Sequence, residues 1–230
     1  MGAAATAAPT AWDAGGVRPP DDLEAIAERV SCSAICDAMM RRHPHRAHVT
    51  DLVSPAPERW LLGRALTMQF LPLRADLLEP ARHDFGALLD EAVADVDPSG
   101  AVLVVSSWGH PDQPIAGGKK LSRLANLGLA GLVADARLRD FAEVVDLGLG
   151  AWCRGETVRQ GGDTIMPFAA NVPVVVGGVG VIPGDWVYAD RSGAVVIPSE
   201  DLRPILEEAA RIEERDAAEV ERMRAEDLAR

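Results

Sequence analysis

The sequence has few cysteines, no excess of basic residues and no long apolar run, and each absence argues against a class of protein. Three cysteines in 230 residues form an odd and sparse set, which favours a reducing cytoplasm. The net charge of -12 and the lack of a basic stripe argue against nucleic-acid binding. No apolar segment reaches membrane-spanning length, and the first residues lack the pattern of a signal peptide. We therefore expect a cytoplasmic protein with neither a nucleic acid nor a membrane as partner.

Three common catalytic signatures are also missing. No G-x-G-x-x-G motif follows a predicted strand, so the chain lacks a dinucleotide-binding fingerprint. The Gly-Gly-Lys-Lys segment at 117–120 does not have the spacing of a P-loop. Ser106 and Ser107 end a predicted strand, but they form no G-x-S-x-G elbow and have no obvious His and Asp partners.

Composition and periodicity divide the chain into three parts. Residues 1–19 contain little besides Ala, Gly, Pro and Thr, and we expect them to form a disordered tail. Residues 20–200 alternate helical and strand patterns, which predicts one α/β domain. Residues 201–230 predict a long charged helix whose apolar positions become sparse after Ile212. That helix is expected either to be solvated or to pack on a partner chain.

Apolar periodicity and turn signals place the individual elements of the domain. A helical pattern begins at Asp21 and continues to Ile35, with Asp21 or Asp22 as its N-cap. Further helices are predicted near 85–96, at 117–126 and at 141–147. Strands are predicted near 65–71 and at 101–105, 132–136, 151–153, 172–176, 186–189 and 194–197. Gly128 and Gly148 are natural residues for ending the two helices before them.

The strands at 101–105 and 132–136, with the helix between them, form a βαβ unit. Such strands are parallel and have a right-handed crossover. If they are neighbours, the loops that follow them lie at the same carboxyl edge of the sheet, where α/β proteins bind their ligands. One loop carries Gly117 and Gly118, and the other carries Arg139 and Asp140.

These two loops form the candidate site. A helix that begins at Gly117 and Gly118 directs free amide groups toward the sheet edge and can bind an anion. Arg139 can hold the same anion through two parallel hydrogen bonds. Asp140 offers an oxygen ligand for a hard divalent cation. The alternative is a surface ion pair between Arg139 and Asp140.

Histidines provide weaker candidates. His43, His45 and His48 could bind a metal, but Pro44 and the lack of a helical or strand register argue against a preset geometry. His110 lies in the loop that leads to the glycine pair and could enter the candidate site.

Motifs along most of the chain, from about Ser31 to Glu208, carry a family resemblance. The segments that carry it include Ala34-Ile-Cys-Asp-Ala38, Leu62-Gly-Arg-Ala-Leu-Thr67, Gly117-Gly118, Asp135, Arg139-Asp140, Arg154-Gly155 and Pro183-Gly-Asp185. The chain resembles the RraA-like family. That family includes class II pyruvate aldolases acting on 4-hydroxy-4-methyl-2-oxoglutarate and 4-carboxy-4-hydroxy-2-oxoadipate, and a non-aldolase inhibitor of ribonuclease E.

The resemblance implies a fold and a set of residue roles. The fold would be an α/β/β/α sandwich, assembled into trimers or paired trimers with sites between subunits. Arg139 would bind the carboxylate and keto group of a pyruvyl substrate, and Asp140 would hold Mg²⁺ or Mn²⁺. The amides of Lys119 and Lys120 would complete the carboxylate cradle. The metal would act as a Lewis acid on the 2-oxo oxygen and stabilise the enolate formed by cleavage.

The chain departs from the family's aldolases around this site. An acidic residue often follows the first glycine of the cradle in the aldolases, but this chain has Gly118. Leucines are usual where this chain has Lys119 and Lys120, and Ser106-Ser107 replaces an Asp that is common at the preceding strand end. The anion-binding group and the metal ligand are therefore kept, whereas the second acid is lost.

The two lysines leave several alternatives open. Lys119 and Lys120 could recognise a more anionic substrate than the usual one. They could instead be exposed to solvent in the first helical turn, where cations oppose the helix dipole. A Schiff-base lysine is possible in principle.

The sequence therefore favours a metal-dependent lyase that cleaves or decarboxylates a 2-oxo di- or tricarboxylate, such as oxaloacetate, and releases pyruvate. Two alternatives stay open: a diverged enzyme acting on another small anionic substrate, and a non-catalytic regulator that binds a protein. Arg139 and Asp140 favour an enzyme, although regulators of the family could keep both residues. A homotrimer or homohexamer is expected in each case.

Overall fold

A computed structural model describes residues 17–228, which form a mixed α/β fold. The helices are α1 Asp21–Ala27, α2 Cys32–Arg42, α3 Phe85–Val93, α4 Gly118–Asn126, α5 Phe141–Asp146 and α6 Leu202–Leu228. The first six strands are β1 His48–Val49, β2 Leu61–Pro72, β3 Val102–Ser106, β4 Pro114–Ala116, β5 Gly131–Ala134 and β6 Arg137–Leu138. The others are β7 Gly150–Trp152, β8 Ile165–Ala170, β9 Val174–Val176, β10 Val179–Val181, β11 Trp186–Asp190 and β12 Gly193–Ile197. Within the described range, each helix is too short or too polar to span a lipid bilayer.

The 12-residue strand β2 belongs to both halves of the main sheet. Its first half pairs antiparallel with β11, which continues through β12 to β1. Its second half pairs in parallel with β3, which continues through β5 to β7, and its end also pairs with β8. The first ten residues of β2 are all buried, as is typical of a strand that is covered on both faces.

Alternate side chains of these strands enter different cores, because successive residues of a strand point to opposite faces. Val102 and Val104 of β3 pack with Val187 of β11 in a core between the two halves of the sheet. Leu103 faces the opposite way, into the core that contains residues of α3, α4 and α5. Trp186 faces the core formed with α1, α2 and α6. The layers are therefore α/β/β/α, which confirms the fold class expected from the sequence.

The apolar pattern at the start of the domain predicts one helix, but the structure contains two. Ser31 is extended between them, with φ -106° and ψ 160°, and its side chain accepts a hydrogen bond from the amide of Ala34. Ser31 thus caps α2 and ends the run of helical backbone. Pro20, rather than Asp21 or Asp22, occupies the N-cap position of α1. The periodicity continues across the break because both helices pack into the same core with α6.

The other helices and strands predicted from periodicity are present, with ends displaced by up to four residues. Gly128 and Gly148 follow α4 and α5 with φ of +76° and +69°, the left-handed conformation expected for these positions. The strands that the sequence pattern does not predict are β1, β4, β6, β8 and β10. Most of them have only two or three residues, too few for a period to be recognised.

Residues 1–16 of the predicted tail lie outside the described residues. Val17 is buried, and its carbonyl accepts a hydrogen bond of 3.1 Å from the amide of Arg64. Arg18 donates a hydrogen bond of 2.6 Å to the hydroxyl of Ser99. The described end of this segment therefore packs on the domain.

Up to residue 226, helix α6 packs on the domain through its first half. Leu202, Ile205, Leu206, Ala209 and Ile212 are buried in the core shared with α1 and α2. From residue 214 to residue 226, every side chain is exposed in this chain.

Candidate functional site

The loops that follow β3 and β5 are held together by a short parallel ribbon, β4 and β6. β3 and β5 are parallel neighbours, and the ribbon continues this pairing beyond the end of the sheet. The amide of Arg139 donates a hydrogen bond of 3.0 Å to the carbonyl of Ala116. Gly117 therefore lies beside Arg139 and Asp140, at the sheet edge that the βαβ pattern predicts.

Gly117 is required by space rather than by backbone conformation. Its φ of -150° is extended and accessible to any residue. A Cβ atom at this position would lie only 2.8 Å from Oδ2 of Asp140 and 3.2 Å from Cβ of Arg139. A side chain here would therefore displace the Asp140 carboxylate and crowd the side chain of Arg139.

Asp140 adopts a left-handed backbone conformation, with φ 64° and ψ 48°. This conformation is uncommon outside glycine, although Asp and Asn tolerate it better than most residues. The residue stands at the N-cap of α5, but its side chain makes no capping hydrogen bond. Glu156 accepts the hydrogen bond of the Phe141 amide, at the start of that helix, at 2.9 Å. Instead, Oδ2 of Asp140 accepts a hydrogen bond of 3.1 Å from the amide of Gly118. An unusual backbone conformation that directs a carboxylate toward a cavity is typical of functional sites.

Arg139 lines a cavity of about 670 Å³ together with Asp140 and the start of α4. Its side chain is half-buried. Its guanidinium makes no hydrogen bond or ion pair with any residue between 17 and 228. Arg139 therefore does not form the surface ion pair with Asp140 that the sequence left open as an alternative. A half-buried guanidinium in this state is available to bind a carboxylate or phosphate.

The remaining walls of the cavity come from segments that the sequence analysis did not connect with the site. Phe70, Ile165 and Pro167, from β2 and β8, provide an apolar wall. A loop at 160–162 forms another wall, and Glu143 of α5 lies beside the start of α4. The Gly161-Gly162 pair in that loop is the sequence signal that could have identified it, since glycines permit a close backbone approach.

The two lysines at the start of α4 differ in their surroundings. Lys119 is exposed and has no polar side-chain partner among the described residues. Lys120 is half-buried: its Nζ donates a hydrogen bond of 2.9 Å to the carbonyl of Ile115 and lies 4.7 Å from the ring centre of Phe85. Burial lowers the pKa of Lys120, and the negative charge of Asp84 opposes this shift. Lys119 is therefore the more available cation.

The backbone amides in the first turn of α4 also differ in whether they have a hydrogen-bond acceptor. The amide of Gly118 donates to Asp140, and the amide of Lys120 donates to the carbonyl of Gly117 at 3.0 Å. The amide of Lys119 has no backbone acceptor among the described residues. The cradle expected from the amides of Lys119 and Lys120 is therefore reduced to that of Lys119 in this structure.

His110 and Ser107 serve a turn rather than the cavity. His110 does not line the cavity, and its amide donates to the hydroxyl of Ser107 at 3.2 Å. The amide of Ser107 donates to Oδ1 of the buried Asp135 at 2.7 Å, and its hydroxyl donates to the Asp135 carbonyl at 3.1 Å. These bonds connect the ends of β3 and β5, so Ser107 and Asp135 support the loops that carry the site.

Of the three neighbouring histidines, His43 and His48 have different partners, and the ring of His45 lies 5.2 Å from that of His43. Nε2 of His43 lies 2.8 Å from Oδ2 of Asp201, and Nδ1 of His48 lies 3.4 Å from Sγ of Cys36. These contacts separate the two imidazoles, so the segment does not gather its nitrogens around one point.

Asp140 and Glu143 offer the carboxylate oxygens nearest to Gly118. Between residues 17 and 228, no group of three or more His, Cys, Asp or Glu side chains is arranged to enclose a metal. Mg²⁺ typically binds through one or two carboxylates, keeps several waters and accepts oxygens from its substrate. A half-buried Asp140 at an open cavity fits that mode of binding, whereas it does not fit a cation enclosed by protein ligands alone.

Comparison with known proteins gives one family. Residues 32–196 match the RraA-like family, described as Aldolase/RraA. A protein of Halalkalibacterium halodurans named "Putative 4-hydroxy-4-methyl-2-oxoglutarate aldolase" is 33% identical over 172 residues, which cover 74% of this chain and 76% of that protein. Among solved structures, Streptomyces coelicolor RraAS2, an unusual member of the RNase ES inhibitor RraA protein family, is 32% identical with a TM-score of 0.74. The similarity covers 90% of this chain and 100% of RraAS2. An uncharacterized protein from Pseudomonas syringae has the same fold, with a TM-score of 0.73 at 22% identity over 92% of this chain and 95% of that one.

Proposed function

We propose that this chain, which belongs to the RraA-like family, is a lyase that cleaves or decarboxylates a 2-oxo di- or tricarboxylate through a pyruvate enolate. The proposal includes Mg²⁺ or Mn²⁺ as its cofactor. The observation that carries it is the guanidinium of Arg139, which has no partner among residues 17–228, beside the carboxylate of Asp140 at the start of a helix and within one cavity. The similarity to a protein named as an aldolase supports the class of reaction.

Arg139 would bind the pyruvyl end of the substrate. A guanidinium can hold a carboxylate through two parallel hydrogen bonds, which fixes both position and orientation. α4 begins directly after Gly117 and adds the partial positive charge of a helix N-terminus, with the Lys119 amide as a donor that has no backbone acceptor in the described part of the chain. An anion between these two groups would be held from both sides.

Arg139 is also placed to stabilise the negative charge that develops on the substrate when its carbon–carbon bond breaks. In an aldol cleavage, water acting as base takes the proton of the tertiary hydroxyl, and the carbon that bore the hydroxyl becomes the carbonyl of the second product. The electron pair of the broken carbon–carbon bond forms the pyruvate enolate, which a proton from water then converts to pyruvate. Decarboxylation gives the same enolate with CO₂ as the other product. Arg139 would stabilise the negative charge on the enolate oxygen, and the apolar wall of Phe70, Ile165 and Pro167 would strengthen that interaction. Asp140 would hold the divalent cation, which in such sites supplies Lewis-acid polarisation of a carbonyl oxygen.

Lys119 supports a substrate with more than one carboxylate. Its ammonium is exposed at the cavity and has no polar partner within the described range, in a chain whose net charge is -12. A second carboxylate of the substrate would pair with this cation while the pyruvyl end occupies Arg139.

The decisive experiment measures pyruvate release by the purified protein with Mg²⁺ or Mn²⁺. The substrates are oxaloacetate, 4-hydroxy-4-methyl-2-oxoglutarate and 4-carboxy-4-hydroxy-2-oxoadipate, and pyruvate is detected by coupling to lactate dehydrogenase. We expect at least one of them to release pyruvate faster than the same mixture without protein, since divalent cations alone decarboxylate oxaloacetate. Chelation of the metal should remove this excess. No excess over the protein-free mixture for any of the three substrates with either ion would contradict the proposal.

A second candidate, a regulator that binds a protein, is favoured by the 32% identity to the Streptomyces coelicolor RraAS2. In that case the chain would inhibit a ribonuclease of the RNase E type. The Arg139→Ala variant separates the two functions: it would inhibit the ribonuclease as well as the wild type does, whereas a lyase would lose its activity.

A further inference from the structure

The side chain of Glu143 fills the space beside Gly118. It reaches from α5 to the first turn of α4, where a Cβ atom on residue 118 would lie only 1.6 Å from Oε2 of Glu143 and 2.7 Å from its Cδ. Gly118 is buried, whereas Glu143 is exposed at the cavity that also contains Arg139 and Asp140. The missing side chain at position 118 is therefore replaced by a carboxylate from another helix.

Gly118 is in contact with two carboxylates. Oδ2 of Asp140 accepts the hydrogen bond of its amide at 3.1 Å, and Glu143 lies where its side chain would project. No Lys or Arg side chain within residues 17–228 forms an ion pair with either of them. Two such carboxylates repel each other unless positive charge lies nearby, and the helix N-terminus and a divalent cation would both supply it.

Glu143 does not make the capping hydrogen bond that is common for a glutamate near the start of a helix. It is the third residue after the N-cap Asp140 of α5, where a glutamate commonly turns back to bond the N-cap amide. In this chain its carboxylate turns outward to α4 instead, and Glu156 satisfies the start of α5. The side chain is thus placed at the cavity rather than used for helix capping.

We propose that Glu143 is the second acidic group of this site and that Gly118 is the residue that admits it. Glu143 acts as a positioning residue: together with Asp140 it orients the ligands of the divalent cation that the proposed lyase requires. Position 118 has no acidic side chain, and the carboxylate of Glu143 from α5 occupies the space where such a side chain would lie. This inference rests on the proposed function for the identity of the ion.

A carboxylate can reach the same space beside α4 from position 118 or from position 143. An acidic side chain at position 118 and the carboxylate of Glu143 compete for this space. The atoms in conflict are the far end of a flexible side chain, so substitutions at Gly118 should displace the Glu143 carboxylate without unfolding the domain.

The test measures Mn²⁺ binding by isothermal titration calorimetry and, separately, the steady-state kinetics of pyruvate release. The variants are Glu143→Gln, Glu143→Ala and the double variant Gly118→Asp/Glu143→Ala. Asp146→Asn, which removes an exposed carboxylate on the same helix, is the matched control. We expect the two single substitutions at Glu143 to weaken Mn²⁺ binding about tenfold or more, as removal of a supporting carboxylate does at other metal sites. In both variants kcat should fall more than KM rises.

The double variant tests the inference most directly. It should bind Mn²⁺ more tightly than Glu143→Ala alone and recover most of the lost turnover. Equal Mn²⁺ affinity in the wild type and Glu143→Gln would overturn the inference, as would a double variant no better than Glu143→Ala. If the wild type releases no pyruvate but Glu143→Gln still loses Mn²⁺ affinity, the lyase proposal fails and the assignment of Glu143 stands. If the wild type is an active lyase and Glu143→Gln keeps its affinity and turnover, the assignment fails alone.

Discussion

Oδ2 of Asp140 accepts a hydrogen bond of 3.1 Å from the amide of Gly118, the first residue of α4. This bond joins the end of one βα loop to the start of the helix in the neighbouring βα unit. It uses one oxygen of the Asp140 carboxylate and leaves the other without a partner among the described residues. The carboxylate is thereby fixed beside the unpaired guanidinium of Arg139, and the first predictions follow from this pair.

Replacing Arg139 by Ala should abolish lyase activity and leave the fold intact. The guanidinium has no partner in the described structure, so its loss removes no internal interaction. Loss of a charged partner of the transition state should cost about 3 kcal/mol or more, a decrease of roughly a hundredfold in kcat/KM. Steady-state kinetics and thermal unfolding would measure the two effects, with Arg191→Ala on an exposed turn as control. Activity within about threefold of the wild type would contradict the role of Arg139.

Replacing Asp140 by Asn should remove metal binding and turnover together. The amide oxygen of Asn can still accept the hydrogen bond from Gly118, so the loop should keep its conformation. The charged oxygen that a hard cation prefers is lost, and we expect Mn²⁺ affinity to fall about tenfold or more. Calorimetry and the pyruvate assay would report this change. Full activity after exhaustive chelation would point instead to a lysine imine, which borohydride trapping would detect.

Replacing Lys119 or Lys120 by Leu should have different effects, although the sequence gives no reason to separate them. Lys119→Leu should weaken binding of a di- or tricarboxylate about tenfold, the value of one charge-assisted hydrogen bond, and change oxalate binding little. Lys120→Leu should instead lower the free energy of unfolding by about 1–2 kcal/mol, because it removes the hydrogen bond to the Ile115 carbonyl and the cation–π contact with the Phe85 ring. Competition binding and denaturant unfolding would distinguish them. Equal loss of both ligands in Lys119→Leu would mean that this lysine only contributes to the general field.

The chain should form a trimer or a hexamer in solution. The side chains of α6 are exposed from residue 214 to residue 226, and Val220 and Met223 are 45% and 55% exposed. This half of the helix has too narrow an apolar face to be held by its own domain. Light scattering at micromolar concentration should give the mass of three or six chains. A monomer at that concentration would contradict the prediction.

The local pattern of the sequence predicts the scaffold of the site. Continuous apolar runs at β3 and β5, with an intervening helix, predict that the two strands are parallel. The structure shows that they are also neighbours. Since the carboxyl ends of neighbouring parallel strands lie at one edge, this pairing brings Gly117 and Arg139 together. The ribbon of β4 and β6, which fixes their contact, has too few residues to produce a recognisable pattern.

The periodicity and turn residues of the sequence by themselves predicted the α/β class, the positions of most helices and strands, and the strand ends at which Arg139 and Asp140 lie. The α/β/β/α layering was implied by the resemblance to the RraA-like family. Tertiary structure decided which polar groups are free: Lys120 is held by Ile115 and Phe85, whereas Lys119 is not. It also placed Glu143 in the space left by Gly118. These facts depend on distances between side chains of different elements, and such distances are set only when the whole domain has packed.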